Sequence, residues 1–209
     1  MFTGIVETTG TIRTMTRIGG DYRLRIDTGG LSLAGCGEGD SICVSGACLT
    51  MLEPDETSFS ADVSQETLDL TTLGTRKEGD PVNLELAMQM DDRMGGHLVT
   101  GHIDGLARLV SRHPDGRAER FEFEAPAGLA RYIARKGSAC LDGVSLTVNA
   151  VEGGRFSVCL IPHTLEITTL GRLQPGDPVN LEVDLVARYL ERLMDPELQD
   201  DSQQEAGDR

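Results

Sequence analysis

Four histidines and five cysteines carry most of the chemistry that this 209-residue chain could perform near neutral pH. His102, in "VTGHIDG", has a side chain whose ordinary pKa lies close to neutrality, which suits it to move protons. Cys48, in "SGACLT", could serve as a nucleophile or a polar wall, although cysteine is equally a common small core residue. His97 follows Gly95 and Gly96 and reads as shaping a joint, whereas His113, in "SRHPDG", reads as a surface turn residue. The cysteines, Cys36, Cys43, Cys48, Cys140 and Cys159, form no CxxC pair and keep no zinc-like spacing with the histidines. No metal is therefore expected, and proton transfer and thiol chemistry remain.

A duplication positions these residues. "TTLG" at 71–74 recurs at 168–171, "GDPVNLE" at 79–85 recurs at 176–182, and "TGIV" at 3–6 aligns with "TGHI" at 100–103, all at an offset of 97. Between 41–85 and 138–182, 20 of 45 positions are identical without a gap, against roughly three from average composition. A scaffold that treats two similar ligands differently must do so where its copies differ. Ile5 aligns with His102, Cys48 with Ser145 and Gly39 with Lys136, which singles out His102 for proton transfer.

Each unit reads as β: short alternating runs such as "YRLRID", "RFEFEA" and "RFSVCL" stand between Gly, Pro and Asp punctuation. A sheet of fewer than 100 residues must hide its edges. The expected fold is all-β, two tandem homologous six-stranded Greek-key β-barrels with a C-terminal oligomerisation helix. The boundaries are 1–97, 98–184, 185–195 for the helix and 196–209 for an acidic, disordered tail. Helical stretches are expected at "QETLDLTTLG" and its copy "HTLEITTLG", each ended by glycine as a C-cap, and at "AGLARYIARKG". In the last helix Leu185, Val186, Tyr189, Leu190, Leu193 and Met194 share one face, fit to pack on other copies or as a strut on its own barrels.

The opening "MFTGIVE", the junction "GGHLVTGHIDG", the pair "GACLT" and "DGVSLTV", and "LIPHTLEITTLG" together resemble the riboflavin synthase family. The resemblance implies a cofactor-free transferase acting on two molecules of 6,7-dimethyl-8-ribityllumazine. One gives a four-carbon unit to the other, yielding riboflavin and a ribitylaminopyrimidinedione. It implies a homotrimer with the site between barrels of neighbouring subunits, and an association with lumazine synthase. Its motifs place Gly4, Ile5 and Val6, Cys48, Leu49 and Thr50, and Asp62, Val63, Ser64, Gln65, Glu66 and Thr67 at the first-barrel pocket. At the second they place Gly101, His102 and Ile103, Lys136, Ser145, Leu146 and Thr147, and Cys159, Leu160, Ile161, Pro162, His163 and Thr164.

The same resemblance puts Ser41 and Asp184 near the reacting pair, with Asp184 orienting Ser41 of an adjoining chain, and Phe2 over the bound ring. Taken alone, Asp184 reads as an N-cap, Phe2 as core, Lys136 as a surface charge at a helix end, and His163 as a ribityl contact or a helix cap. A neutral polyol ligand also fits the lack of a phosphate-cradling glycine loop.

Composition excludes other classes. The net charge is −15, with six acids and one base in 195–209, and so acidic a chain repels phosphate backbones and anionic membranes. Neither nucleic acid nor membrane is an expected partner. The first basic residue is Arg13 and no apolar run approaches 18 residues, so neither a secretory signal nor a membrane span is expected. The odd cysteine count fits reduced thiols in the cytoplasm. A flavin reductase barrel would need a nucleotide domain with a glycine-rich turn. A non-catalytic lumazine- or flavin-binding antenna with the same barrels is the remaining rival, and the presence of Ser41, Cys48, His102 and Asp184 argues for catalysis.

Overall fold

The computed structural model describes residues 1–195, and the acidic tail expected at 196–209 lies outside the described residues. In the first unit β1 (Thr8–Ile18) and β2 (Asp21–Asp27) form a hairpin, β3 (Ser41–Val44) and β4 (Ala47–Thr50) a second, and β5 (Ser58–Val63) and β6 (Pro81–Leu86) complete the sheet. The second unit repeats this with β7 (Gly105–Asp115), β8 (Ala118–Glu124), β9 (Ser138–Leu141), β10 (Val144–Glu152), β11 (Arg155–Leu160) and β12 (Pro178–Val183). All pairs are antiparallel. The neighbour orders, β4-β3-β6-β1-β2-β5 and β10-β11-β8-β7-β12-β9, are the same order in the two copies. With β12 returning beside β9 after the β9-β10-β11 run, the connectivity is a Greek key.

Period-2 alternation sends one face of each strand inward. In β2, Leu24 and Ile26 are buried, while Arg23 and Arg25 turn outward to ion-pair with Asp62 and Asp55. The second barrel closes fully, because β10 runs on far enough to pair with both β9 and β11. In the first unit β4 stops at Thr50, and the seam to β5 is the single bridge Leu52 to Ser60. The cause is local: Glu53 has φ 45°, and Pro54 lacks the N–H a strand needs.

The helical expectations need correcting in two places. α1 (Gln65–Leu70) and α2 (Pro162–Ile167) end at Thr71 and Thr168 in extended conformation, and Gly74 and Gly171 lie inside the 3-10 turns that follow. These glycines are not C-caps; a Cβ on Gly74 would stand 2.2 Å from the Leu68 carbonyl oxygen. "AGLARYIARKG" yields only a 3-10 turn at Ala130–Tyr132, so Lys136 ends no helix and sits exposed in a loop with φ 69°.

The two barrels meet about a local two-fold axis. Asn83 Nδ2 donates to the Asp142 carbonyl at 2.8 Å, and its Oδ1 accepts from Thr169 N at 2.8 Å. The aligned Asn180 does the mirror image, Nδ2 to the Ser45 carbonyl at 2.7 Å and Oδ1 from Thr72 N at 2.7 Å. Near the axis, Phe2 and Val99 form a backbone bridge and are buried with Cys43 and Cys140. Burial pushes both of those thiols well up, which makes them unreactive.

Asp142, aligned with Ser45, is wholly buried at this interface, and loss of solvent raises its pKa to about 6 from 3.8. Between those values the native state holds a proton that the unfolded chain has lost. Its contribution to stability is complete below about pH 4 and is lost as pH rises through 6. Glu85, also raised by burial, acts with the same sign. Asp142→Asn, neutral at every pH, is therefore expected to flatten the fall in stability between pH 4 and 7 by up to roughly 3 kcal/mol. Melting curves across that range check it; an unchanged pH profile would contradict it.

Candidate active site

Each unit begins with a loop clamped by a buried glutamate from the end of its "PVNLE" strand. Glu85 accepts from Thr3 N (2.6 Å), Thr3 Oγ1 (2.7 Å) and Gly4 N (3.1 Å). Glu182 accepts from Thr100 N (2.7 Å), Thr100 Oγ1 (2.8 Å) and Gly101 N (2.9 Å). The clamped loops then cross the interface. Gly4 O accepts from Ser145 N at 2.7 Å, and Gly101 O accepts from Cys48 N at 2.9 Å. Val6 accordingly joins the core of the second barrel, and Ile103 packs on the core of the first.

This crossing corrects the expected grouping of site residues. Gly101, His102 and Ile103 were expected beside Ser145, but they wall a pocket of about 270 Å³ on the first barrel with Ala47, Cys48, Glu66 and Thr67. Gly4, Ile5 and Val6 belong beside Ser145. The reason is the packing: facing units lay each opening loop over the other unit's β4 or β10. His102 and Cys48, one from each copy, are thus brought to one cavity.

The second site differs. Here the joint between the units lies over Ser145, with His97 Nδ1 2.6 Å from Ser145 Oγ. Burial pushes the His97 pKa down, against an opposing pull from Asp184, so the neutral ring is favoured and can exchange a hydrogen bond with the hydroxyl. His97 was expected to shape the joint; its contact with Ser145 is an addition. The signal available in the sequence was that the joint "MQMDDRMGGH" has no partner in the repeat.

The remaining site candidates separate by strand face. Cys48 is half-buried and Thr50 exposed on the outer face of β4, with Leu49 between them in the core. Ser41 stands opposite Thr50 on β3. Asp62 is tied to Arg23 at 2.6 and 2.8 Å, Val63 is core, Ser64 caps α1 by accepting from Thr67 N, and Gln65 donates to Asp69. In the second unit Leu160 is core, and the Cys159 Sγ faces outward, 3.9 Å from Asp115. Leu146 packs on the core and Thr147 is exposed. Ile161 caps α2 through its backbone, Pro162 opens it, His163 is exposed, and the Thr164 carbonyl accepts from Thr168.

Phe2 does not cover a ligand. It is 0% exposed between the barrels, because its backbone bridge to Val99 turns the ring into the interface. Asp184 caps α3 (Leu185–Leu193), accepting from Val186 N at 3.0 Å. Among the described residues, no cluster of three or more His, Cys, Asp or Glu is placed to hold a metal, and no helix is long and apolar enough to cross a membrane.

Known proteins of one kind are similar to this chain. The model of the lumazine binding domain matches twice, over residues 3–87 and 100–184. The riboflavin synthase of Mycobacterium bovis is 46% identical over 199 residues, covering 93% of this chain and 98% of that protein. Those of Photobacterium phosphoreum and Schizosaccharomyces pombe are 43% and 39% identical, covering 93% and 96% of this chain and 89% and 97% of theirs. In fold, the chain is similar to crystal structures of LumP complexed with riboflavin (TM-score 0.78, 23% identity) and with 6,7-dimethyl-8-(1'-D-ribityl) lumazine (0.76, 24%). Each aligns with 88% of this chain and 99% of the other. With a lumazine-binding repeat on each barrel and relatives of one name matching more than nine-tenths of its length, the chain belongs to the riboflavin synthase family.

Proposed function

We propose that the protein is a riboflavin synthase, a transferase that passes a four-carbon unit between two molecules of 6,7-dimethyl-8-ribityllumazine and releases riboflavin and 5-amino-6-(D-ribitylamino)uracil. The observation that carries the reading is the crossed pair of loops. It builds two related sites whose chemical residues differ, Cys48 facing the His102 loop at one and Ser145 facing the Ile5 loop and His97 at the other. Two like heterocycles can then bind in like poses while one becomes donor and the other acceptor. Joining them is mostly a matter of proximity, worth effective molarities on the order of 10⁵ M or more. The proton transfers, beginning at the acidic 7-methyl group, fall to the groups lining the pockets. Relatives at 39–46% identity bear an enzyme's name, which supports catalysis over passive binding.

The pocket at Cys48 is about 270 Å³ and open, at the lower edge of the roughly 300–1,000 Å³ of small-molecule sites. A wall from another subunit would complete it, with Asp184 orienting Ser41 across that boundary. The exposed face of α3, with Tyr189 64% and Leu193 73% accessible, supports a homotrimer assembled through that helix. The cytoplasmic placement rests on the odd, unpaired cysteines.

Purified protein mixed with the lumazine and no additive is expected to develop flavin absorbance, and to sediment as a trimer. Tight lumazine binding without flavin formation would sink the enzyme reading in favour of an antenna.

A further inference from the structure

The wall of the Cys48 pocket is held from behind. His102 and Ile103 also line a second cavity of about 240 Å³ with Asp104, Leu185 and Arg188. There the Asp104 side chain is only 4% exposed. One of its oxygens accepts from Val183 N at 2.7 Å, and the other ion-pairs with the Arg188 guanidinium of α3. The loop carrying His102 is thus fastened at both ends, by Glu182 on Thr100 and Gly101 and by Arg188 on Asp104.

The first copy has the cradle without the ion pair: Arg93 lines the cavity beside Glu7, but among the described residues no base pairs with Glu7. Glu7, aligned with Asp104, accepts from Leu86 N at 2.8 Å in the same way, and its backbone N–H donates to Leu84 as that of Asp104 donates to Leu181. Arg188 itself lies beyond the repeat, on a helix that has no counterpart after the last strand of the first unit. Beside Glu7 lies an open cavity of about 440 Å³ instead of a helix. A buried carboxylate needs hydrogen-bond donors or a charge partner; Asp104 has both, the Val183 amide and Arg188, and the two together make the loop geometry definite.

We propose that Arg188 is a positioning residue: its pair with Asp104 latches helix α3 to the loop that carries His102, fixing the reacting wall of the Cys48 pocket in one copy of the repeat only. The proposal rests on the riboflavin synthase reading. It links the helix expected to join subunits with the group expected to move protons.

Steady-state flavin formation tests it, with kcat and KM resolved separately. Arg188→Gln is expected to lower kcat roughly ten-fold or more with little change in KM, since misplacing a reacting group by about 1 Å costs on the order of 10²-fold. Arg188→Lys should recover most of the loss, and Arg192→Gln, one turn on and paired with Asp195, none is expected to be lost. In a His102→Gln background, Arg188→Gln should cost less than about two-fold more, as for two changes acting through one group. Should Arg188→Gln fail to fold, Asp104→Asn carries the same expectation. Native kcat in Arg188→Gln, full additivity with His102→Gln, or a kcat that returns as protein concentration is raised would each overturn the latch; the last would leave Arg188 to assembly alone. Absence of flavin from the unaltered protein would instead overturn the synthase reading itself.

Discussion

His102→Gln is expected to lower kcat for flavin formation by roughly 10²–10⁴-fold, the usual worth of a positioned acid or base. Glutamine keeps a hydrogen-bonding side chain of similar reach and removes the imidazole that would carry the proton. The loop itself should stand, because its anchors are elsewhere: Thr100 and Gly101 on Glu182, and Asp104 on Val183 and Arg188. Lumazine affinity and melting temperature are therefore expected to change little, which separates a chemical loss from a structural one. His102 is exposed beside half-buried Cys48, in the cavity that also holds Thr67. Near-native kcat in His102→Gln would remove it as the proton carrier and turn attention to His97, whose ring hydrogen-bonds Ser145.

Gly101→Ala is expected to damage stability and activity together. Gly101 has φ +83°, where an L side chain costs about 1–2 kcal/mol. A Cβ there would stand 2.5 Å from Cys48 Cβ and 2.8 Å from Cys48 N. Neither contact is the yielding tip of a long side chain. The loop must lift, losing the Cys48 N to Gly101 O bond of 2.9 Å, and such overpacking typically adds about 1–3 kcal/mol. A total loss of roughly 2–5 kcal/mol follows, with weaker lumazine binding at the first barrel because the loop that walls the pocket lifts away from Cys48. Denaturant unfolding and fluorescence titration measure the two effects. A native-like midpoint would show that the loop does not bear on Cys48 in solution.

The mirrored substitution, Gly4→Ala, has the same physics at the other end of the axis: φ +74°, with Ser145 Cβ at 2.6 Å and Ser145 N at 2.8 Å. Both glycines stand in the "TG" pair that opens each repeat. Their repetition is visible in the sequence, but what they press against is not. The same holds for Glu85 and Glu182, whose recurrence at the end of "PVNLE" was a legible sign of a shared task. A glutamate ending a strand is ordinarily solvent-facing, and only the fold shows these two buried on loop amides.

What the sequence determined by itself was the duplication, the β character of each unit, the last helix and its apolar face, and the family. These properties are local or periodic: alternation in strands, identities at one offset, an amphipathic stripe. The tertiary structure decided which loop serves which barrel, that Phe2 is interior, that His97 meets Ser145, and that Arg188 reaches Asp104. Each is a contact between residues far apart in the chain, set by how two barrels dock face to face. An offset of 97 shows that two units are alike, and it is the packing of Asn83 and Asn180 across the axis that sends each opening loop onto the other unit. Repeat number is written along the chain; the exchange of walls between repeats is written only in the interface.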